Sequence, residues 1–175
     1  SSELLKRDPM TLVKNRAAYE NYKLELNGKM KDGELTNIAF VMFDVNDLKL
    51  MNDNYGHVAG DDYIRKFAEI LRQVFDDNGS ICRISGDEFI VLLYDISRDK
   101  LDEFKDNLDK AISINNRVAS VGYAYGEKIA VMELIKQAEQ EMYDDKNKAR
   151  NKLGEALIAD YQNRIGDIEA QEKEE

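Results

Sequence analysis

The stretch CRISGDEFIVLL, residues 82–93, contains two apolar runs separated by a short polar turn. The runs predict the two strands of a hairpin, and the turn presents two adjacent carboxylates, Asp87 and Glu88. Adjacent carboxylates repel each other, and each loses solvation against a sheet. They are expected where a cation neutralises them, while an acidic solvated turn is the alternative for this stretch taken alone. We expect Gly86 to supply the backbone freedom that the turn needs.

Outward from the hairpin, the hydrophobic pattern predicts the other elements of one domain. Strands are predicted at 37–44 and 117–125, and helices at 15–30, 60–75, 99–113 and 131–152. The first helix is predicted to end near Gly28, and the second to carry Asp61 and Asp62 in its first turn. This order predicts an α/β (α+β) sandwich with a palm-like, ferredoxin-type mixed sheet. The hairpin is central in this order of elements, and helices flank the sheet.

The composition restricts the partners of the protein. Of its 175 residues, 25 are Lys or Arg and 35 are Asp or Glu, so the formal net charge is −10. This charge argues against a nucleic acid polymer or an anionic membrane as the main partner. A nucleotide stays compatible with it, because a metal ion and a few cations can hold one locally. The single cysteine, Cys82, lies in an apolar strand, as expected of a buried thiol in a reducing cytoplasm.

Asp44, at the end of the strand predicted at 37–44, is the expected neighbour of the acidic turn. If the hairpin pairs beside this strand, Asp44 and Asp87, together with Glu88, form a cluster of oxygen atoms at one edge of the sheet. Mg²⁺ prefers carboxylate ligands and completes its shell with water and substrate phosphates. The sequence therefore predicts a magnesium site at this edge.

The segment VNDLKLMNDNYGHVAGDD, residues 45–62, combines polar side chains with glycines before a predicted helix. A loop that leads into a helix N-terminus suits a phosphate group. Asn52 and Asp61 offer an amide and a carboxylate that can pair with the edge of guanine, and His57 lies between them. The alternatives are a structural role for His57 and turn or capping roles for Asn52 and Asp61.

The helix predicted at 131–152 carries two apolar residues and then two cations on one stripe, at a spacing of four: Ala138, Met142, Lys146 and Arg150. If the apolar residues pack on the sheet, Lys146 and Arg150 extend toward the carboxylate edge and can bind phosphates. The alternative is a solvated basic helix end that complements the helix dipole.

These motifs together resemble the GGDEF domain of bacterial diguanylate cyclases. SGDEF at 85–89, preceded by Arg83, is similar to the signature of the family, and DVNDLKLMNDNYGHVAGDD at 44–62 is similar to its second block. Three further segments are similar to its remaining blocks: DPMTLVKNR at 8–16, SVGYA at 120–124 and AEQEMYDDKNKARN at 138–151. Five blocks in family order and at family spacing form a specific signal.

The resemblance also divides the chain into three parts. Residues 1–7 are interpreted as the stub of an upstream helix, and residues 8–152 as the GGDEF domain. Residues 153–175 are interpreted as a C-terminal helical extension with a frayed acidic end.

The resemblance implies an enzyme, a nucleotidyltransferase that condenses two GTP into cyclic di-GMP and releases two pyrophosphates. It implies two Mg²⁺ ions per active site, with Mn²⁺ as a substitute. The metal ligands implied by position are Asp44, the carbonyl group of Val45, Asp87 and, ranked lower, Glu88. Asp87 is also the implied catalytic base for the ribose 3′-hydroxyl. The implied substrate-binding residues are Asn52, His57 and Asp61 for the nucleotide, and Lys146 and Arg150 for the phosphates.

The resemblance further implies how such a domain works in the cell. GTP is the implied substrate, a homodimer is needed for catalysis, and an upstream sensor or regulatory domain is missing from this fragment. A nucleic acid polymer and a membrane contact by this domain are not implied. The implied location is cytoplasmic, including as the cytoplasmic part of a membrane-bound sensor. The alternative is a degenerate GGDEF domain that acts as a GTP-binding or partner-binding regulatory module, and the intact set of site residues favours the enzyme. A polymerase-like or adenylyl cyclase palm lacks the match to these blocks.

Three departures from the family pattern bear on activity. Ser85 replaces the first glycine of the signature, which predicts reduced activity at most. Ala149 and Asp145 replace a usual glycine and alanine near the phosphate-binding cations. Residues 76–79, DDNG, stand where many members carry an R-x-x-D motif that binds the product, which predicts weak product inhibition unless Arg72 compensates.

Overall fold

The structure is a computed structural model that describes residues 4–174, apart from the side chains of residues 4 and 151–153. It contains these elements in chain order: α1 (Arg16–Lys31), β1 (Ile38–Val45), α2 (Leu48–Tyr55), α3 (His57–Phe75), β2 (Ser80–Arg83), β3 (Glu88–Tyr94), α4 (Arg98–Ile114), β4 (Ala119–Gly126) and α5 (Val131–Glu174). A short 3₁₀ turn, Leu4–Lys6, precedes them. The first three residues of the predicted upstream stub, and the last residue of the chain, lie outside the described residues.

The four strands form one sheet in the order β2-β3-β1-β4. This order confirms the palm-like, ferredoxin-type fold, with the hairpin of β2 and β3 beside the central strand β1. The pairs between neighbouring strands are antiparallel. Within the described chain, the parallel pairing of the predicted mixed sheet is limited to an isolated bridge between Lys14 and Cys82. All eight residues of β1 are buried, as its apolar sequence predicts for a central strand.

Two hydrophobic layers lie on the two faces of the sheet. Side chains alternate along β1, so that Val41 and Phe43 pack with α3 and α4, while Phe40 and Met42 pack with α1 and α5. Edge-to-face aromatic contacts in the first layer join Phe67 to its neighbours on β1 and β3, with ring centroids 5.2 to 5.5 Å apart. Continuing the alternation, Asp44 lies on the α1 and α5 side of the sheet.

The segment 45–62 differs most from its prediction as a loop. It contains the eight-residue helix α2, which has no buried residue. Gly56 separates α2 from α3 with φ 89° and ψ 166°, a conformation that is essentially restricted to glycine. Because α3 begins at His57, Asp61 and Asp62 lie in its second turn, so their prediction for the first turn is wrong.

Helix α1 also extends beyond its predicted end. It passes through Gly28 and ends at Lys31, where the backbone N–H of Asp32 caps it by donating to the carbonyl groups of Gly28 and Met30. The glycine is tolerated inside the helix, because the last turn is held by Met30, which is buried in the core.

Helix α5 is one continuous helix of 44 residues, so the predicted helix at 131–152 and the predicted extension are joined. Its first half packs on the sheet beside the edge strand β4. The carboxylates of Glu141 and Asp145 accept hydrogen bonds from the outward N–H groups of Tyr123 and Val121, at 3.3 and 2.9 Å. These acids protect an otherwise open sheet edge. Among residues 4–174, no helix combines the length and the apolar composition needed to cross a membrane.

Candidate active site

The ends of β1 and β3 bring three carboxylates to one edge of the sheet. Asp44 lies directly opposite Glu88 in the antiparallel register, and Asp87 precedes Glu88 in the turn. The N–H group of Val45 donates to the carbonyl of Asp87 at 2.8 Å, which fixes the turn against the central strand. The clustering expected from the hairpin and the strand ending in Asp44 is therefore what the structure shows.

Lys146 on α5 neutralises part of this charge. Its Nζ atom donates to Oδ2 of Asp44 at 2.6 Å, and the Asp44 side chain is only 11% exposed. The other carboxylate oxygen, Oδ1, is buried and has no hydrogen-bond partner in the described structure. A buried carboxylate oxygen without a partner is costly, which suits a position that a ligand completes.

The pKa values of two carboxyl groups at this edge, Asp87 and Glu88, are raised above their ordinary values. Burial, and then the negative charge of Asp44, raise the pKa of Asp87, while Lys146 acts in the opposite direction. Burial also raises the pKa of Glu88, followed by the charges of Asp44 and Asp87, and the Ser85 side chain acts in the opposite direction. Asp87 and Glu88 therefore resist ionisation, because they are partly buried and because other carboxylates are near, and a cation would relieve the repulsion.

The donor set fits Mg²⁺ if the substrate supplies part of the shell. No three His, Cys, Asp or Glu side chains in the described chain form a ready metal cage. Mg²⁺ is commonly held by one or two carboxylates and by substrate phosphates rather than by such a cage. Asp44, with its unpartnered oxygen, and Asp87 are the two carboxylates that could hold it.

The turn itself is anchored by Arg83. The guanidinium group donates to the carbonyl of Gly86 at 2.8 Å and to the carboxylate of Asp8 at 3.2 Å. Asp8 also accepts from the backbone and the hydroxyl of Thr11, which contributes to a lowered pKa. Gly86 has no positive φ, and a Cβ atom there would meet nothing within 4 Å. The expected need for a glycine in the turn is therefore not found, since the anchor sets its shape.

An open cleft of about 670 Å³ lies beside the carboxylate edge. Four of the predicted site residues line it: Val45, Asp87, Lys146 and Arg150. The helix N-terminus at the cleft is that of α2, not that of the helix predicted from residue 60, because residues 45–50 line it. Four cations gather around this cleft in a protein of strongly negative charge: Lys49, Arg117, Lys146 and Arg150. This arrangement suits a polyphosphate.

Two of these cations were missed by the sequence interpretation. Lys49 lies within the second block of the family motif, at residues 44–62, so its position in that motif could have identified it as a residue of the cleft. Arg117 lies between α4 and β4 in a positive-φ conformation, and its guanidinium pairs with Asp145 at 3.6 Å. Asp145 thus orients a cation of the cleft while it caps the edge strand, which gives this departure from the family pattern a structural role.

The predicted guanine-binding residues lie on the corner between α2 and α3. Asn52 is on α2, His57 is the first residue of α3, and Asp61 is exposed one turn later. None of the three is among the residues that line the cleft. Gly60 leaves room for the amide of Asn52, because a Cβ atom there would lie 1.7 Å from Asn52 Oδ1. The close approach of the two helices therefore depends on this glycine.

The fold and the site together define a palm-like α+β domain with an acidic sheet edge that faces a cationic cleft. Residues 5–152 match the family model described as "Diguanylate cyclase, GGDEF domain". The chain belongs to the GGDEF family.

Curated relatives show the same similarity at low identity. The chain is 26% identical over 160 residues to the probable diguanylate cyclase DgcT of Escherichia coli, an alignment that covers 84% of this chain and 35% of DgcT. It is 26% identical over 167 residues to the diguanylate cyclase VdcA of Vibrio cholerae, covering 84% of this chain and 49% of VdcA. The chain thus spans less than half of the length of these two proteins.

Solved structures support the fold. The coiled coil and GGDEF domain of DgcB from Caulobacter crescentus, in complex with c-di-GMP, superposes with a TM-score of 0.74 at 19% identity, covering 84% of this chain and 83% of that chain. A microbial GGDEF domain studied for its interaction with cyclic di-GMP superposes with a TM-score of 0.71 at 25% identity, covering 84% and 94% of the two chains.

Proposed function

We propose that this chain is the catalytic domain of a diguanylate cyclase, which condenses two GTP into cyclic di-GMP with release of two pyrophosphates. The observation that carries the proposal is the buried, unpartnered oxygen of Asp44 beside the strained carboxyl of Asp87, next to a cleft lined with cations. Membership of the family and the intact set of implied metal-binding and substrate-binding residues support it.

Each residue of the site has a distinct role in this proposal. Asp44, the carbonyl group of Val45 and Asp87 would hold two divalent ions, with Glu88 as a supporting acid. When bound, these ions neutralise phosphate charge and lower the pKa of the attacking hydroxyl. Asp87 also accepts the proton of the ribose 3′-hydroxyl, a task that suits a carboxyl group whose pKa is raised.

The cations and the helical corner would position the substrate. Lys146 and Arg150 bind the phosphates, and Lys146 can exchange its contact with Asp44 for one with the substrate. Asn52 and Asp61 hydrogen-bond the guanine edge, with His57 nearby. Since they lie on α2 and α3 outside the cleft lining, a bound GTP would extend from the cleft toward this corner.

Catalysis would need two domains. One cleft of about 670 Å³ holds one GTP, whereas the product contains two nucleotides that attack each other. Two chains therefore meet face to face in a twofold arrangement. We place this reaction in the cytoplasm, and a sensor or regulatory domain on the same polypeptide would control the meeting.

Incubation with GTP and Mg²⁺, followed by chromatographic identification of the products, tests the proposal. We expect cyclic di-GMP and pyrophosphate in a ratio of about one to two, and no product with EDTA. The alternative function, a degenerate domain that binds GTP or a partner as a regulatory module, is favoured by Ser85 at the signature. Calorimetric binding of GTP without any turnover would support that module and reject the enzyme.

A further inference from the structure

The second half of α5 presents an apolar stripe to solvent. Every described side chain from Glu155 to Glu174 is exposed, so this part of the helix packs on nothing within the described chain. Five of these side chains are large and apolar, with exposed fractions between 38% and 66%: Leu157, Ile158, Tyr161, Ile165 and Ile168. An apolar face on a helix that leaves its own domain indicates a partner.

The spacing of the stripe is that of a two-stranded coiled coil. Ile158, Tyr161, Ile165 and Ile168 are separated by three, four and three residues, as positions a and d of two heptads are. Leu157 occupies the flanking g position. A stripe of this kind buries its side chains against a second helix with the same pattern.

The extension is poorly suited to remain a lone helix. It contains Gly154 and Gly166, each of which costs about 1 kcal/mol in a helix interior relative to alanine. Most of the stability of a helix in a protein comes from tertiary packing of an amphipathic face, and this part of α5 has no such packing within the described chain. Burial of the apolar stripe against a partner would supply the stability that this part of the helix lacks.

The charges beside the stripe fit a second copy of the same chain in parallel orientation. Arg164 is at a g position and Glu169 is at the e position of the following heptad. In a parallel dimer these positions face each other across the seam, which gives two opposite-charge pairs by symmetry. In an antiparallel dimer, position a of one helix packs against position d of the other. Arg164 then lies opposite Arg164 of the second copy, and Glu155 lies opposite Glu169 of the second copy. Like charges there are destabilising.

The stripe also continues the substrate-facing side of α5. Arg150, Gly154, Leu157 and Tyr161 follow one another at spacings of four, three and four, so they lie along one side of the helix. The residues that pack on the sheet, such as Leu134 and Ala138, lie roughly 150° away around the helix axis, because a run of residues at a spacing of four drifts by about 40° with each step. A second copy can therefore approach along the stripe without meeting the sheet, on the side where Arg150 faces the cleft.

We propose that residues 157–168 form a short parallel coiled coil with a second copy of this chain. The seam spans about 18 Å, so it buries less than roughly 1,000 Å² and predicts a weak, reversible dimer with a dissociation constant in the micromolar range. Its role in bringing two GTP-loaded domains together rests on the proposed function, whereas the dimer itself does not.

Sedimentation equilibrium of the full chain, from about 1 to 200 µM, tests the dimer. We expect a monomer–dimer equilibrium for the parent protein and a monomer throughout for Ile165→Asp. The matched control is Asn163→Asp, which adds the same charge on the outer side of the helix and should leave the dissociation constant within about twofold of the parent value. A parent protein that stays monomeric at every concentration overturns the proposal, and so does an Ile165→Asp variant that dimerises like the parent.

The orientation has its own test. Glu169→Arg should weaken a parallel dimer severalfold, and the double variant Arg164→Glu/Glu169→Arg should restore it. A dimer that is strengthened by Glu169→Arg alone would be antiparallel and would overturn the parallel seam. Circular dichroism of each variant at matched concentration shows that the domain is folded. Because sedimentation needs no turnover, failure of the cyclase activity and failure of the dimer are separate results.

Discussion

The two halves of the candidate site are built in different ways. The carboxylate half, made of Asp44, Asp87, Glu88 and Lys146, is held by strand register and by an ion pair between residues 102 positions apart. The base half, made of Asn52, His57 and Asp61, lies on two consecutive helices, and two of its three side chains are exposed.

This difference suggests that the carboxylate half would carry out the chemistry and that the base half would recognise the nucleotide. The carboxylate half is preformed and carries repulsion that a cation would relieve. The base half is local and open, so it is expected to gain its order from the nucleotide. Changes in the first half should act on turnover and on stability, and changes in the second half should act on the choice of nucleotide.

The largest effect is expected from Asp87→Asn. The substitution removes a proposed metal ligand and the proposed base while preserving the shape of the side chain, so product formation should fall by at least about 10³-fold. Initial rates of cyclic di-GMP formation measure it. Glu88→Gln is the matched control and should cost much less. Turnover of folded Asp87→Asn protein near the parent rate would remove Asp87 from the mechanism.

A smaller effect, confined to nucleotide choice, is expected at Asp61. The parent protein should prefer GTP over ATP by about 10² in affinity, because a hydrogen-bonding site rejects a substrate that leaves its polar groups unpaired. Asp61→Ser should narrow this preference by about tenfold with little change in the fold. Asp62→Ser is the neighbouring control, since Asp62 pairs with Arg65 on the helix surface. Equal calorimetric affinities of the parent for the two nucleotides would contradict the assignment of the base half.

The repulsion in the carboxylate half also predicts a stability effect. Because the folded-state pKa of Asp87 is raised, its charged form opposes folding, and this penalty grows as the pH rises from about 4 through the raised value. Without metal, Asp87→Asn should therefore melt a few degrees above the parent at neutral pH. The difference in melting temperature between the parent and this variant should vanish at acid pH, where the carboxyl group of Asp87 is protonated and therefore as neutral as the amide that replaces it. Thermal melts across pH measure it, and a lower melting temperature for Asp87→Asn at neutral pH would mean that Asp87 stabilises the fold.

The smallest response is expected from added product. Residues 76–79 offer Asp76 and Gly79 in place of the arginine and aspartate of the product-binding motif. Arg72 is already engaged, since it donates to the carbonyl of Thr11 and pairs with Glu69 at 3.3 Å. Micromolar cyclic di-GMP should change initial rates by less than about twofold. Strong inhibition at concentrations well below that of GTP would reveal a product site built from other residues.

The two halves of the site also differ in how well the sequence predicts them. The strands and the hairpin were predictable because their apolar runs are short, continuous and bounded by polar residues. The carboxylate cluster followed from them, since pairing the hairpin with β1 places Asp44 opposite Glu88. The same reasoning failed for α2, whose eight residues are not buried and stand in a segment of polar residues and glycines that is typical of a loop.

Contacts that depend on the packing of distant elements could not be predicted from the local hydrophobic pattern of the sequence. The place of Arg117 in the cleft depends on the connection between α4 and β4, and its partner Asp145 lies on α5. The shape of the signature turn depends on Arg83 and Asp8 rather than on Gly86. The pairs Arg83–Asp8 and Arg117–Asp145 join residues far apart in the chain, and no short-range periodicity encodes them.

The ion pair between Lys146 and Asp44 has a consequence for biosynthesis. Asp44 leaves the ribosome 102 residues before its cation does. A nascent chain that already contains β1 and the hairpin can pair these strands, yet its carboxylates then face each other without the lysine. This ion pair therefore forms only after Lys146 of α5 has been made, and until that moment the growing polypeptide carries the acidic edge without Lys146 and Arg150.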